Sequence, residues 1–364
     1  MPCQLQRGAE HGADLSAADD ADIQRRWTHR GAHLHDASAP RPAPYAGAMT
    51  WQPWTRAWQQ ALYGREGFYR RSSPSEHFAT SAQGIPGAGP LLASAVARLA
   101  RQHGLEQIID VGAGRGELLR ELARHDPGLT LTGTDVVHRP ADLPGSISWI
   151  QGPGGALLAD GITAVEQVLV IAHEWLDVVP CPVVEFDGRS WRLLEVTPAG
   201  DERLAGELDD AGRAWCQEYS FPDPHEGDRL EIGSPRDAAY AQLCSRVRQG
   251  LVVAVDYGYR SGMQPRHGTL TGYRDGLQCL PTPDGTCDIT AHVCIDSLGA
   301  DSAMPQRELL DRLGAGMPAP PLTLASTDPP AYLQRLATRS AWSALRAAGG
   351  LGDFWWVIRT IDIG

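Results

Sequence analysis

From Met49 onward the chain alternates between two spacings of hydrophobic residues. Trp51, Trp54, Trp58 and Leu62 recur at helical intervals, with Thr50 placed to cap that helix and Gly64 to end it. A tryptophan stripe of this kind is expected in a core. After a connector from Phe68 to Gly89, a second helix is predicted from Pro90 to about His103. Its buried face is Leu91, Leu92, Ala95, Val96 and Leu99, and Gly104 closes it. Short unbroken apolar runs then predict strands at Gln107 to Val111, Leu129 to Thr134, Ile147 to Ile150, Val168 to Ala172 and Leu251 to Val255, with a helix from Gly116 to Arg124. Such strands alternating with helices predict an α/β fold, a mostly parallel sheet with helices on both faces. Between them, about 183 to 249 reads as an inserted substrate-side subdomain, where Val183 to Phe186 and Trp191 to Val196 flank the turn Asp187-Gly188. Pro330 to Ala348 predicts a helix and Phe354 to Thr360 a last strand.

Residues 1 to 48 have no such period and almost no large aliphatic side chains, so they are expected to form a disordered extension. An alternative start at Met49 places globular sequence at once. The chain thus divides into the extension 1–48, an N-terminal helical segment 49–106 and a sheet domain 107–364.

Composition narrows the chemistry. The 364 residues contain no lysine and no asparagine, so all 32 basic residues are arginine. This excludes a Schiff-base lysine, a pyridoxal phosphate anchor and a P-loop phosphate clamp. Forty-four carboxylates give a net charge of -12, the reverse of a nucleic-acid binder's footprint. No apolar run approaches a membrane span and no secretory core precedes the first helix, so a cytoplasmic protein with neither nucleic-acid nor membrane partner is expected. Seven scattered cysteines, never spaced C-x-x-C, suggest no metal site; Cys279, Cys287 and Cys294 read as structural.

Three segments carry chemistry. Asp110-Val111-Gly112-Ala113-Gly114-Arg115-Gly116-Glu117 joins a predicted strand to a helix, and Asp135 ends the next strand. Glycines let the backbone turn tightly beside a ligand, and a carboxylate at the second strand's end can accept both hydroxyls of an adenosine ribose. A dinucleotide fingerprint needs glycine where Glu117 stands, which argues against a nicotinamide oxidoreductase. The second segment, His173-Glu174-Trp175-Leu176-Asp177-Val178-Val179-Pro180, follows the strand 168–172 and is expected at the same crevice. Glu174 and Asp177, three apart, suit one side of a helical turn and match a guanidinium fork, or alternatively cap or bridge locally. His173 is open to cofactor or substrate contact, or to a local hydrogen bond. The third comprises Val255-Asp256-Tyr257-Gly258, then Gly268 to Arg274, then Pro283 to Val293, where the residues alone show a strand ending in an acid and two Gly-rich loops.

The glycine spacing 112, 114, 116 after Asp110 resembles motif I of the class I S-adenosylmethionine (SAM) methyltransferases. With His77-Phe78-Ala79-Thr80-Ser81 and the third segment, it is similar to the MidA-type methyltransferases from about Phe68 to the C-terminus. The mitochondrial member of that family is a complex I assembly factor that methylates an arginine. The resemblance implies a Rossmann-like class I fold, SAM at Gly112, Gly114 and Asp135 with Asp110, Gly116 and His173 also expected at the cofactor, and the Glu174 loop flanking the reactive end; Glu174 and Asp177 are the candidate catalytic carboxylates for holding the acceptor nitrogen. It further implies a substrate cleft at His77, Phe78, Asp256 and Tyr257, with a protein substrate; a homodimer is compatible with it. The family usually has asparagine where this chain has His173 and Val-Asp-Phe where it has Val293-Cys294-Ile295. A non-catalytic assembly protein on the same scaffold is the competing expectation.

Overall fold

The structure is a computed structural model and describes residues 50–71, 85–314 and 317–363. The expected extension 1–48 and the cleft residues His77 and Phe78 lie outside the described residues. Seven strands form the central sheet: β1 (Gln107–Val111), β2 (Thr130–Asp135), β3 (Ile147–Gln151), β4 (Val168–His173), β5 (Gly250–Asp256), β6 (Ser302–Pro305) and β7 (Trp355–Ile361). Their spatial order is 3-2-1-4-5-7-6. β3, β2, β1, β4 and β5 are mutually parallel, and β7 runs antiparallel to both β5 and β6.

All seven residues of β5 are buried, as the continuous apolar run requires of a strand covered on both faces. Side chains alternate between two cores. Ile108, Leu169, Ile171 and Val253 face Leu92, Leu119, Leu122 and Trp342, carried by helices α2 (Ala88–Gln102), α3 (Glu117–His125) and α5 (Pro329–Leu345). Ile109, Val170, Ala172 and Val252 face Tyr240 and Leu243 of α4 (Ser234–Ser245). The strand order reverses between β1 and β4, so the chain leaves their C-terminal ends in opposite directions and opens a crevice there.

The insertion forms its own antiparallel sheet from Val183–Phe186, Trp191–Val196, Glu202–Glu207 and Arg229–Glu231. The predicted hairpin has the expected bounds. Its turn is fixed by Gly188 at φ 87° and by Asp187 Oδ1, which accepts from the N–H groups of Arg189 and Ser190.

Two expectations need correction. The first helix, α1 (Trp54–Tyr63), does not start at Thr50: Gln52 and Pro53 pair as an edge strand with Val196 and Glu195, which pulls the chain out of helix before Trp54. Trp51 therefore lies outside the stripe, beneath the Arg203 guanidinium. The remaining stripe is core, but its partners are Val183, Leu194 and Val196 of the insertion and Ile289 of the strand Asp288–Thr290, not the central sheet. The second correction concerns the two Gly-rich loops. They contain a three-stranded sheet, with Thr271–Arg274 between Leu277–Cys279 and Asp288–Thr290. Three- and four-residue strands carrying Gly, Thr and Asp are too short for period-2 patterning to show.

Trp58 is fully buried and its indole N–H donates to the Ile289 carbonyl at 2.8 Å. Trp58→Ala is expected to lower stability by about 3–5 kcal/mol, read as a lower urea midpoint.

Candidate active site

Gly112, Gly114 and Gly116 all have positive φ, at 72°, 58° and 79°. This run of left-handed residues turns the chain from β1 into α3 and exposes amide N–H groups. The Gly114 N–H donates to Asp135 Oδ2 at 2.8 Å, and Asp135 Oδ1 accepts from the Val137 N–H at 3.2 Å. Both N–H groups favour the carboxylate, yet burial outweighs them and raises the Asp135 pKa to about 6. At Gly112 an added Cβ would lie 3.3 Å from the Trp175 ring, whose indole N–H donates to the Gly155 carbonyl. One tryptophan therefore locks the glycine loop to the segment after β3.

The chain after β4 is not helical. Glu174 has φ 53°, a strained value for a non-glycine residue, and its N–H is tied to the Val255 carbonyl at 2.8 Å. Asp256, at the end of β5, accepts from the N–H groups of Leu176 and Asp177 at 2.9 and 3.3 Å. Its carboxyl is held well above the ordinary range by burial and by Asp177. Asp177 points inward, accepts from the Tyr257 hydroxyl, and is raised to about 6 by burial. Arg236 lies beneath the same loop, donating to the carbonyls of Asp177, Val179 and His292.

These loops enclose a cavity of about 590 Å³, within the usual range for a small-molecule site. Its walls include Gly112, Gly114 and Asp135 from the first two strands, Glu174 and Trp175 from the fourth, and Tyr63 and Tyr69 from the N-terminal segment. Of the expected cofactor residues, Gly112, Gly114 and Asp135 meet here. Asp110, Gly116 and His173 do not line the cavity. Asp110 is buried at the end of β1, its carboxyl raised by burial, Asp135 and Glu117. Gly116 is needed for packing, since a Cβ there would lie 2.6 Å from Leu143 Cδ1. His173 stacks on Phe354 with Nδ1 3.4 Å from Glu174 Oε1, and burial lowers its pKa to about 4, leaving it neutral at pH 7.

The two expected catalytic carboxylates separate. Glu174 lines the cavity, whereas Asp177 is 3% exposed and engaged with Tyr257. They do not form an open fork on one helical turn, because the Asp256 hydrogen bonds turn the backbone between them. Asp256 and Tyr257, expected in a substrate cleft, lie behind the wall and position it. Sequence reasoning missed Tyr63, Tyr69, Arg70 and Arg71 of the cavity wall, whose place depends on a long-range contact. It also missed Arg236, and it reached Asp288 only within the segment Pro283 to Val293 without a role; both are buried polar residues with no periodic signal.

A family described as "Putative S-adenosyl-L-methionine-dependent methyltransferase" matches residues 140–306, from the loop after Asp135 to the residue after β6. A crystal structure of a Burkholderia thailandensis protein bound to S-adenosyl-homocysteine is similar at a TM-score of 0.70 and 20% identity, covering 94% of this chain and 92% of that one. A native structure of an uncharacterized protein from the same organism gives 0.69 and 21%, covering 94% and 91%. At this identity the likeness is one of fold. No curated protein matches the chain.

The Asp256 bonds predict that Asp256→Ala raises hydrogen exchange at the Leu176 and Asp177 amides by about tenfold or more, with distant strands unchanged. Because the folded Asp177 pKa lies above the ordinary value of 3.8, ionising it destabilises the native state. Asp177→Asn is therefore expected to gain stability relative to the parent as pH rises from about 4 through about 6, checked by thermal unfolding across that range.

Proposed function

We propose that this chain is a SAM-dependent methyltransferase whose acceptor is a nitrogen of a protein, with an arginine side chain as the substrate its MidA-type motifs favour. The family match and the shared class I architecture support the coarser reading. The observation that carries it is the Asp135 carboxylate clasped by the Gly114 N–H inside a cavity at the reversal of strand order.

The cavity fits the cofactor. It places a carboxylate where vicinal ribose hydroxyls can donate, beside a turn whose Gly112 and Gly114 present no Cβ to the cavity. SAM, when bound, supplies an electrophilic methyl group on a sulfonium. The chain's own residues contribute alignment and electrostatics. Asp135 orients the ribose, Trp175 fixes the glycine loop, and Tyr63 and Tyr69 cover the cavity from the N-terminal side. Glu174 presents a carboxylate to the cavity from a strained backbone, with neutral His173 behind it. That carboxylate can hold a cationic acceptor and steer one nitrogen toward the methyl group.

Calorimetric titration with S-adenosylhomocysteine is expected to show one site per chain. Asp135→Asn should weaken it about tenfold or more; absence of binding to folded parent protein refutes the reading. The hydroxyls need the ionised carboxylate, so the affinity of the parent should fall as pH drops through about 6. Glu174→Gln should keep that affinity while transfer of label from SAM into lysate protein falls by about a hundredfold or more.

A further inference from the structure

A guanidinium has a pKa above 12, and a proton must leave when one of its nitrogens is methylated. The cavity wall offers Glu174, but a second carboxylate lies behind it. Asp288 sits in the strand Asp288–Thr290, opposite Tyr273 in register, and is fully buried. Its Oδ1 accepts from the Tyr69 hydroxyl at 2.7 Å. Its Oδ2 is buried with no hydrogen-bond donor among the described residues. A buried acceptor left unmade is costly, so this oxygen calls for a proton or a donor.

The neighbouring phenols differ in what they connect. Tyr63 lines the cavity, but its hydroxyl donates to the Val178 carbonyl at 3.2 Å. Tyr257 donates to Asp177, and neither residue lines the cavity. Tyr69 does both: it lines the cavity and its hydroxyl bonds to a carboxylate. Among the described residues it is the link from the cavity to a buried acid.

We infer that Asp288, reached through Tyr69, accepts the proton that the acceptor nitrogen loses during methyl transfer. The inference rests on the methyltransferase reading and adds the proton's destination. The nitrogen lone pair forms the new N–C bond as the S–C pair returns to sulfur. The departing N–H proton moves to the Tyr69 oxygen while the Tyr69 proton moves to Asp288 Oδ1. One cationic acceptor, one sulfonium and the ionised Asp288 carboxylate become a methylated cation, a thioether and a neutral Asp288 carboxyl, so charge and atoms balance.

The electrostatics agree with this geometry. Burial raises the Asp288 carboxyl to about 7, with the Tyr69 hydrogen bond opposing and Asp177 adding to the rise. The ionisable groups coupled to Asp288 are Tyr69 and Tyr63 from the N-terminal segment, Asp177 from the loop after β4, and Tyr273 from the adjacent strand. Arg70 and Arg71 stand on the same cavity wall, and Arg71 donates to the Gly285 carbonyl three residues before Asp288. A guanidinium entering the cavity adds a further cation and favours the ionised Asp288 before the chemical step.

The test counts protons. Folded protein is first titrated with S-adenosylhomocysteine, and the loaded protein then with agmatine, a small guanidinium probe, in buffers of different ionisation enthalpy. At pH 7 the loaded parent is expected to release about half a proton as agmatine binds. Asp288→Asn should bind S-adenosylhomocysteine as the parent does and lose that release. Tyr69→Phe removes the bond that favours the ionised acid, so the pH of half-maximal release should move up; this variant decides the matter if Asp288→Asn does not fold. Agmatine binding without proton release, no agmatine binding, unchanged release in Asp288→Asn, or an unmoved midpoint in Tyr69→Phe overturns the proton route alone. Failure of the parent to bind S-adenosylhomocysteine overturns the methyltransferase reading and this inference with it.

Discussion

Burying a carboxylate costs several kcal/mol unless donors are buried with it, and this protein buries Asp110, Asp177, Asp256 and Asp288 in one region. The site depends on how that cost is met. Asp256 draws in two backbone N–H groups and so fixes the loop that carries Glu174. Asp177 is met by the Tyr257 hydroxyl and Asp288 by the Tyr69 hydroxyl. Each acid thereby shapes a wall element, and burial leaves Asp135, Asp177 and Asp288 with pKa values between about 6 and about 7. A region of this kind responds to an arriving positive charge more strongly than a solvated acidic surface does.

The inserted sheet has a related role. Arg236 is buried among backbone carbonyls at the junction, beneath the Trp58 ring, and joins the loop after β4 to the strand region near His292. Helix α1 crosses from its edge strand into the inserted core, and the short segment after it delivers Tyr69 and two arginines to the cavity. The central sheet thus provides the floor, and chain distant from it in sequence provides the wall above Asp135. Glycines at 112 and 154 permit this close fit, for a Cβ on Gly154 would lie 2.5 Å from the Tyr63 ring.

The sequence by itself determined the parallel strands of the central sheet and the glycine turn, while the short edge strand β6 left no pattern in it. Strands such as Val168–His173 and Gly250–Asp256 are unbroken apolar runs because they are covered on both faces. Gly112, Gly114 and Asp135 could be placed together because strand, turn and helix are adjacent in the chain and parallel topology brings β1 beside β2. Only the tertiary structure decided which acids face the cavity. Glu174 and Asp177 are three residues apart, yet one lines the wall and the other is buried behind it, since the backbone between them answers to Asp256 some 80 residues away. Tyr69 and Asp288 are 219 residues apart, and nothing local in either neighbourhood encodes their meeting. Local pattern records burial and chain direction, while a buried polar pair is settled by which donors the finished fold brings within reach.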